Sequence, residues 1–457
     1  MLHTLRQTRG ARRSAPLTRS VRIALLFAAF LACGLAAYFI EPVKHTFAHS
    51  WSFADPLCGI LAMITLGMIL QGEWRIDKPA WWMSAYVCMH AVTMAVNATW
   101  GSGAALNFFR TATWALVLYI IVHNAMCNID DLKWFYWLAA LLGIIVALNG
   151  IFVLVGGWGQ SFTNLLPVLG RSPNTMNSWG FVQVMCFAIA VAWWAQSPTA
   201  VHRALTCVVL VVGITLSLSR TAYTCVVLIL LFTVVGTRGR NAARIAVIVS
   251  AVGCAMWLAT GQLRESVPQA MTFLNKKVDS YQSDLNDTRL VGITIDPLTK
   301  WVRQSPAVWI LGDGSTQQHN LLINCLWMTG LLGTLSMVGY HTALFRKSLK
   351  LWRAERRTSL ASANLGPAFF ALVLVMLLDD ILTNLRNHSS VVAYTFAVLA
   401  GGLSSAAAWS NCGRKPTALT GARGMVIRVL PSLRAISHQQ RRSHPQVNKW
   451  RAESAPL

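Results

Sequence analysis

Gln317-Gln318-His319-Asn320, followed directly by Leu321-Leu322-Ile323-Asn324-Cys325-Leu326-Trp327-Met328-Thr329-Gly330-Leu331-Leu332-Gly333-Thr334-Leu335, is the stretch from which the chain is best read. A long polar interval, Gln262 to Asn320, ends here and the sequence drops straight into an apolar run. The interval carries Asn286-Asp287-Thr288-Arg289 near its middle and a histidine at its close. A polar loop that ends in a titratable residue at a membrane edge is a natural place for chemistry, and the rest of the chain reads as scaffold for it.

Composition supports that reading. The chain is 55% hydrophobic and 12% charged, with a mean hydropathy of +0.49, whereas a soluble domain carries about a quarter charged residues. Its apolar runs do not alternate with polar residues, which argues against a transmembrane barrel, and they match the roughly 20 residues needed to cross a bilayer. The expectation is an all-α polytopic membrane protein of about twelve transmembrane helices, with one larger periplasmic loop between spans nine and ten. The formal net charge is +23. Because the basic residues collect at the ends and in alternate loops, this charge reads as the positive-inside pattern and not as a nucleic-acid surface. The ten cysteines lie mostly within apolar runs, none in the long polar loop, and no pair has metal-ligand spacing. Neither a disulfide framework nor a zinc site is expected.

Residues 1–22 form a basic segment without an acid, leading into span one at Ile23–Ile40. A cleaved signal peptide is the rival reading, but the run is long for one and many spans follow. The next spans are Phe53–Leu70, Ala80–Val96, Phe108–Ala125, Trp134–Val155, Trp179–Ala195, Ala204–Leu218 and Ala222–Val235. Ile245–Thr260 leads into the polar loop of residues 262–320. Leu321–Leu344 ends at a strongly basic inner loop with Arg346, Lys347, Lys350, Arg353, Arg356 and Arg357, and Pro367–Leu382 and Val391–Ala408 complete the set. The membrane domain is thus 23–410, and the basic tail 411–457 is cytoplasmic like the N-terminus. The tail suits topology and attraction to anionic lipids.

Alternation puts Arg171, Arg220, Arg289, His319 and Arg386 on the outer face, where the topological bias disfavours arginine. Guanidinium groups make bidentate, charge-assisted bonds to phosphate, so arginines at the membrane edge suit a lipid-linked sugar diphosphate. Arg220, at the tip of a short hairpin, is the sharpest candidate; a snorkelling interfacial arginine fits the same position. Arg289 is explained as well by solvent or by a salt bridge to Asp284 or Asp287. Arg171 and Arg386 are weaker, each fitting an ordinary loop charge. His319 is the candidate acid/base, since histidine exchanges protons at neutral pH; a helix-start histidine bonded to water is the plain alternative. Asn320 is a candidate to orient it or to bind a sugar hydroxyl. Asp379 and Asp380 are candidates to pair with an arginine or to face a polar cavity. The 19 tryptophans, many near span ends, fit an interfacial belt.

Ser217-Leu218-Ser219-Arg220-Thr221-Ala222, then Thr288-Arg289, then His319-Asn320-Leu321-Leu322 and Gly330-Leu331-Leu332-Gly333, with Ser172-Pro173-Asn174-Thr175 before span six, resemble the O-antigen ligase and polysaccharide polymerase superfamily. Members of that family are bacterial inner-membrane glycosyltransferases that take a glycan from undecaprenyl diphosphate in the periplasm. The resemblance implies that Arg220 and Arg289 hold the diphosphate and that His319 assists deprotonation of the acceptor hydroxyl. It also implies inversion at the anomeric carbon and no metal or other cofactor. The expected partners are an undecaprenyl-diphosphate-linked oligosaccharide, an acceptor glycan, membrane lipids, a chain-length regulator and a flippase, and no nucleic acid. Polymerisation of an exopolysaccharide or O-antigen is the first reading. Ligation onto the lipid A core is the second. Export of the polysaccharide or its lipid-linked unit is the third, disfavoured by the lack of an inverted repeat and of paired Gly/Pro-broken spans.

Overall fold

The computed structural model describes residues 17–36, 39–40, 51–99, 103–155, 174–196, 199–216, 220–236, 296–314, 320–355, 365–382 and 389–412. Their regular elements are helices apart from one two-residue antiparallel pairing, Phe39–Ile40 with Trp51–Ser52. In chain order the helices are α1 (Arg19–Leu35), α2 (Ala54–Leu70), α3 (Lys78–Val96), α4 (Gly103–Ala125), α5 (Ile129–Val155), α6 (Asn174–Gln196), α7 (Val201–Leu216) and α8 (Arg220–Gly236). Then follow the short α9 (Asp296–Val302) and α10 (Pro306–Leu311), the long α11 (Leu321–Glu355), α12 (Leu365–Leu382) and α13 (Ser390–Cys412).

Five of these are long and apolar enough to cross a membrane, over Ala105–Ala125, Asp130–Leu148, Ser178–Gln196, Leu321–Glu355 and Ser390–Ala408, and four shorter helices are apolar as well. The chain is a helical membrane protein of the multi-pass kind. The crossing segments of α6 and α13 are buried along almost their whole length. Peripheral helices turn apolar side chains outward instead: Met63, Leu66 and Leu70 of α2 are all well exposed, as suits a face that meets lipid and not water.

Buried ion pairs fix the helix ends. Asn128 and Asp131 cap the start of α5 reciprocally: Asn128 Oδ1 accepts from the Asp130 and Asp131 amides at 3.0 and 2.9 Å, and Asp131 Oδ2 accepts from the Cys127 amide at 2.9 Å. The same carboxylate takes Arg22 of α1 in a two-point contact, at 3.1 and 3.3 Å. Asp77 opens α3 by accepting from the Ala80 amide at 3.0 Å, and its other oxygen receives the Tyr119 hydroxyl at 2.8 Å and the Lys347 ammonium. Burial opposes ionisation of Asp77, but His123 and Lys347 prevail and hold its carboxyl below the ordinary value. That contribution to stability is present above the pKa of an unfolded aspartate and is lost as pH falls through the lower folded value. These contacts gather Arg22 and Lys347 at one end of the bundle, where Lys133 stands two residues beyond Asp131 and Arg203 lies on Trp193, which stacks on Tyr136 near the start of α5; this is hereafter the basic end.

The structure departs from the sequence expectation in three places. Span one ends at Leu35, five residues before Ile40, because Phe39–Ile40 pairs with Trp51–Ser52. The basic stretch after Leu344 is helix and not loop as far as Glu355. Its apolar side is held by packing: Phe345 and Trp352 each lie 5.2 Å from the Phe370 ring. Glu355 then accepts from the Leu365 and Gly366 amides at 3.0 and 2.8 Å, so the last residue of α11 caps the first turn of α12. Third, part of the polar interval is helical, as α9 and α10. The ninth expected span, Ile245–Thr260, lies outside the described residues.

The most consequential feature is a break in α11. Gly330 has φ 64° and ψ −163°, a region open in practice to glycine alone. A methyl on Gly333 would overlap the Thr329 side chain, although residues four apart on a regular helix keep their Cβ atoms about 5–6 Å apart. The two arms therefore fold sharply toward each other. A reversed residue also removes the local donors that carbonyls just upstream would take. The polar interval supplies partners: the Asp313 amide donates to the Trp327 carbonyl at 2.9 Å, and Trp301 Nε1–H donates to the Leu326 carbonyl at 3.1 Å.

Gly330→Ala should lower the melting temperature of the detergent-solubilised protein sharply. The backbone strain costs about 1–3 kcal/mol, and the added methyl meets the Leu311 amide nitrogen at 2.6 Å. A thermal melt that matches wild type would refute this account of the break.

Candidate functional site

The end of the bundle opposite the basic one is assembled from the start of α2, the end of α3, the start of α4, the start of α13 and the break in α11. Thr111 and Ser390 hydroxyls meet at 3.3 Å, and Asn97 donates to the Gly312 carbonyl at 3.1 Å. Gly312 has φ +73°, and a methyl there would lie 2.6 Å from the Trp327 carbonyl oxygen. Gly312, within the polar interval, is thus seated directly against α3 and α11. Trp309 donates to the Trp301 carbonyl at 3.0 Å, which binds α9 to α10.

Of the sequence candidates, Asn320 is described in full. Its Oδ1 accepts from the Leu322 and Ile323 amides at 3.0 and 3.3 Å, which makes it the N-cap of α11, and it is buried. Its carbonyl side is thereby engaged by the helix start, which explains the residue type without a ligand. Arg220 is the first residue of α8 and Asp379 lies in α12; nothing is described of either side chain. Arg171, Arg289, His319 and Arg386 lie outside the described residues.

Helix directions locate Arg220. Phe232 of α8 packs on Trp352 of α11 at 6.1 Å and on Phe370 of α12 at 5.0 Å, near the Glu355 cap. Arg220 is twelve residues upstream, about 18 Å along the axis, and Asp380 is ten residues beyond Phe370, about 15 Å. The backbone therefore carries Arg220, Asp379 and Asp380 toward the same end of two packed, oppositely directed helices.

Asp380 pairs with His341 of α11, Nε2 to Oδ2 at 2.7 Å. The other ring nitrogen, Nδ1, faces the Met337 carbonyl at 2.9 Å. A carbonyl oxygen only accepts, so Nδ1 carries a proton, and Nε2 is occupied by the carboxyl group. His341 presents no free nitrogen to a substrate; it ties α11 to α12 inside the bundle. Sequence reasoning passed over it because it stands just before a basic run.

A second missed constellation is Asp55, Arg110 and Trp114. Asp55 accepts from the Ser52 amide at 2.7 Å, from Arg110 at 3.0 Å and from Trp114 Nε1–H at 3.0 Å. Arg110 stands inside the apolar run of span four, and an arginine there calls for a carboxylate partner; that was the available signal. The pair ties α2 to α4 and neutralises the guanidinium. His90 and Asn324 are wholly buried, and neither has a side-chain hydrogen bond among the described residues. His90 lies against the Tyr86 and Phe109 rings at 6.1 and 5.8 Å, and Cys325, beside Asn324, contacts the Tyr86 hydroxyl at 3.8 Å. Among the described residues no three His, Cys, Asp or Glu side chains come together as metal ligands.

Asn320→Ala should cost about 0.5–2 kcal/mol of stability, read as a lower melting temperature, while Asn320→Ser or Asn320→Asp should restore most of it. If Asn320→Ser melts as low as Asn320→Ala, Asn320 does more than cap.

A scan of protein-family models matches no family to this chain, and a search of curated proteins finds no match. A functional reading has to come from its own residues.

Proposed function

We propose that the chain polymerises a secreted or surface polysaccharide, moving a glycan from undecaprenyl diphosphate to a sugar hydroxyl at the outer face of a bacterial inner membrane. The observation that carries this reading is the ordered set Ser217-Leu218-Ser219-Arg220-Thr221-Ala222, Thr288-Arg289, His319-Asn320-Leu321-Leu322 and Gly330-Leu331-Leu332-Gly333. Three structural facts support it. Arg220 opens a helix whose other end packs at the basic end. Asn320 caps the helix that follows His319. The glycine motif breaks that helix where the polar interval docks. The positive-inside rule puts the basic end, and both termini, in the cytoplasm.

In this reading the acceptor hydroxyl oxygen attacks the anomeric carbon and its proton passes to His319. The bond from that carbon to the diphosphate breaks, and the diphosphate leaves with the electron pair. Arg220 and Arg289 stabilise the charge that develops on it. A lipid diphosphate is already a good leaving group, so this chemistry asks for cations and one base.

Two observations favour export as the second reading. One apolar helix is broken at Gly330, as in transporters with discontinuous helices. A His–Asp pair also lies inside the bundle, where ionisable residues mark transport paths.

In a deletion strain, complementation with Arg220→Ala, Arg289→Ala or His319→Ala should leave single repeat units on the carrier and cut polymer by roughly 100-fold or more. Full-length polymer on the carrier that never reaches lipid A would establish ligation instead. Full-length polymer retained inside the cell would establish export. Labelling of Arg220→Cys, Arg289→Cys and His319→Cys from the cytosol alone would overturn the proposal.

A further inference from the structure

At the basic end a cavity of about 330 Å³ opens between the start of α5, the end of α6 and the start of α7. Lys133, Tyr136, Trp137, Trp193, His202 and Arg203 line it. Its walls are aromatic: Tyr136 and Trp193 stack at 6.1 Å with their planes 10° apart, and His202 meets the Trp193 edge at 5.5 Å. The Arg203 guanidinium lies 4.7 Å from the centre of the Trp193 ring and donates through NH1 to the Trp193 carbonyl at 2.7 Å. That is its one side-chain hydrogen bond among the described residues, and its Nε–H has no partner there. The guanidinium is thus held in place by a ring face and one carbonyl while its other donors are uncommitted. Lys133 pairs with Asp130 at 2.9 Å, but both side chains are largely in the open, where such a pair is weak and the ammonium is free to swing.

Depth fits the chemistry. Trp134 and Trp137, on the same turn of α5, are exposed, as tryptophans at headgroup level are. Basic pockets between helices at that level bind phosphate headgroups, and arginine binds phosphate oxygens at two points. We propose that this cavity is a binding site for a phosphate ester oxyanion, the headgroup of an anionic phospholipid, with Arg203 as its anchor, Lys133 and His202 beside it and the Tyr136–Trp193 stack against the glycerol. The site lies at the other end of the bundle from Arg220 and is independent of the polymerase reading.

Native mass spectrometry of the full-length protein in neutral detergent, titrated with phosphatidylglycerol, phosphatidylcholine or sodium phosphate, tests this. Wild type should retain phosphatidylglycerol in preference to phosphatidylcholine, and sodium phosphate should not displace it. Arg203→Gln should weaken retention roughly tenfold and Lys133→Gln roughly fivefold. Lys350→Gln, an exposed charge outside the cavity, should leave it unchanged. Equal retention of the two lipids by wild type overturns the site without recourse to any variant. So does an effect of Lys350→Gln equal to that of Lys133→Gln, which would make the attraction diffuse. Displacement by millimolar sodium phosphate would overturn the lipid source and leave a soluble phosphate as the ligand.

Discussion

Hydrocarbon offers no hydrogen bonds, so a backbone that leaves its helix at that depth must find partners inside the protein. The break at Gly330 meets this constraint through the polar interval, whose Trp301 indole and Asp313 amide reach the Leu326 and Trp327 carbonyls. The same requirement binds α9 and α10 to α11, and Asn97 secures them to α3. A segment that composition marks as a solvent loop is in this part a piece of the bundle's packing. It also supports the capped start of α11 immediately after His319.

Charges follow a similar rule. Asp55, Asp77, Asp131 and Asp380 are all largely buried, and each holds a cation or a histidine from another helix. Removing one partner of such a pair leaves an uncompensated charge, commonly at a cost of about 3–5 kcal/mol. Arg22, Arg110 and Lys347 are thereby committed to holding helices together, which sets them apart from the arginines proposed to meet a diphosphate. Arg203 differs from them, since an aromatic face and a carbonyl hold it and, among the described residues, no carboxylate does.

Periodicity and hydropathy were enough to locate the helices. Eleven of the twelve apolar runs read as spans overlap described helices, with most ends agreeing to within a few residues, and five of those helices are long and apolar enough to cross a membrane. The exceptions are informative. The helical extension to Glu355 depends on Phe345 and Trp352 finding Phe370, a tertiary contact that no local window contains. The break at Gly330 was invisible because Gly330 and Gly333 sit in an otherwise apolar run; the backbone of Ile310 and Leu311 lies against Gly330, a contact beyond any local window, and the Thr329 side chain crowds Gly333 across the break. Buried pairs such as Arg22–Asp131 join residues over a hundred positions apart, beyond the reach of spacing arguments. The candidate site was legible only as residue types. Asn320 caps α11, and His341 and Arg110 were passed over as single polar residues within apolar runs.

The carboxylate of Glu355 at the first amides of α12 has a consequence for biogenesis. That group is almost inaccessible to solvent once folded, and the amides it receives belong to the next helix. Neither half is comfortable in lipid without the other. The two segments thus gain most by leaving the translocation machinery as a paired hairpin, with acid and orphan donors already joined, instead of one after the other.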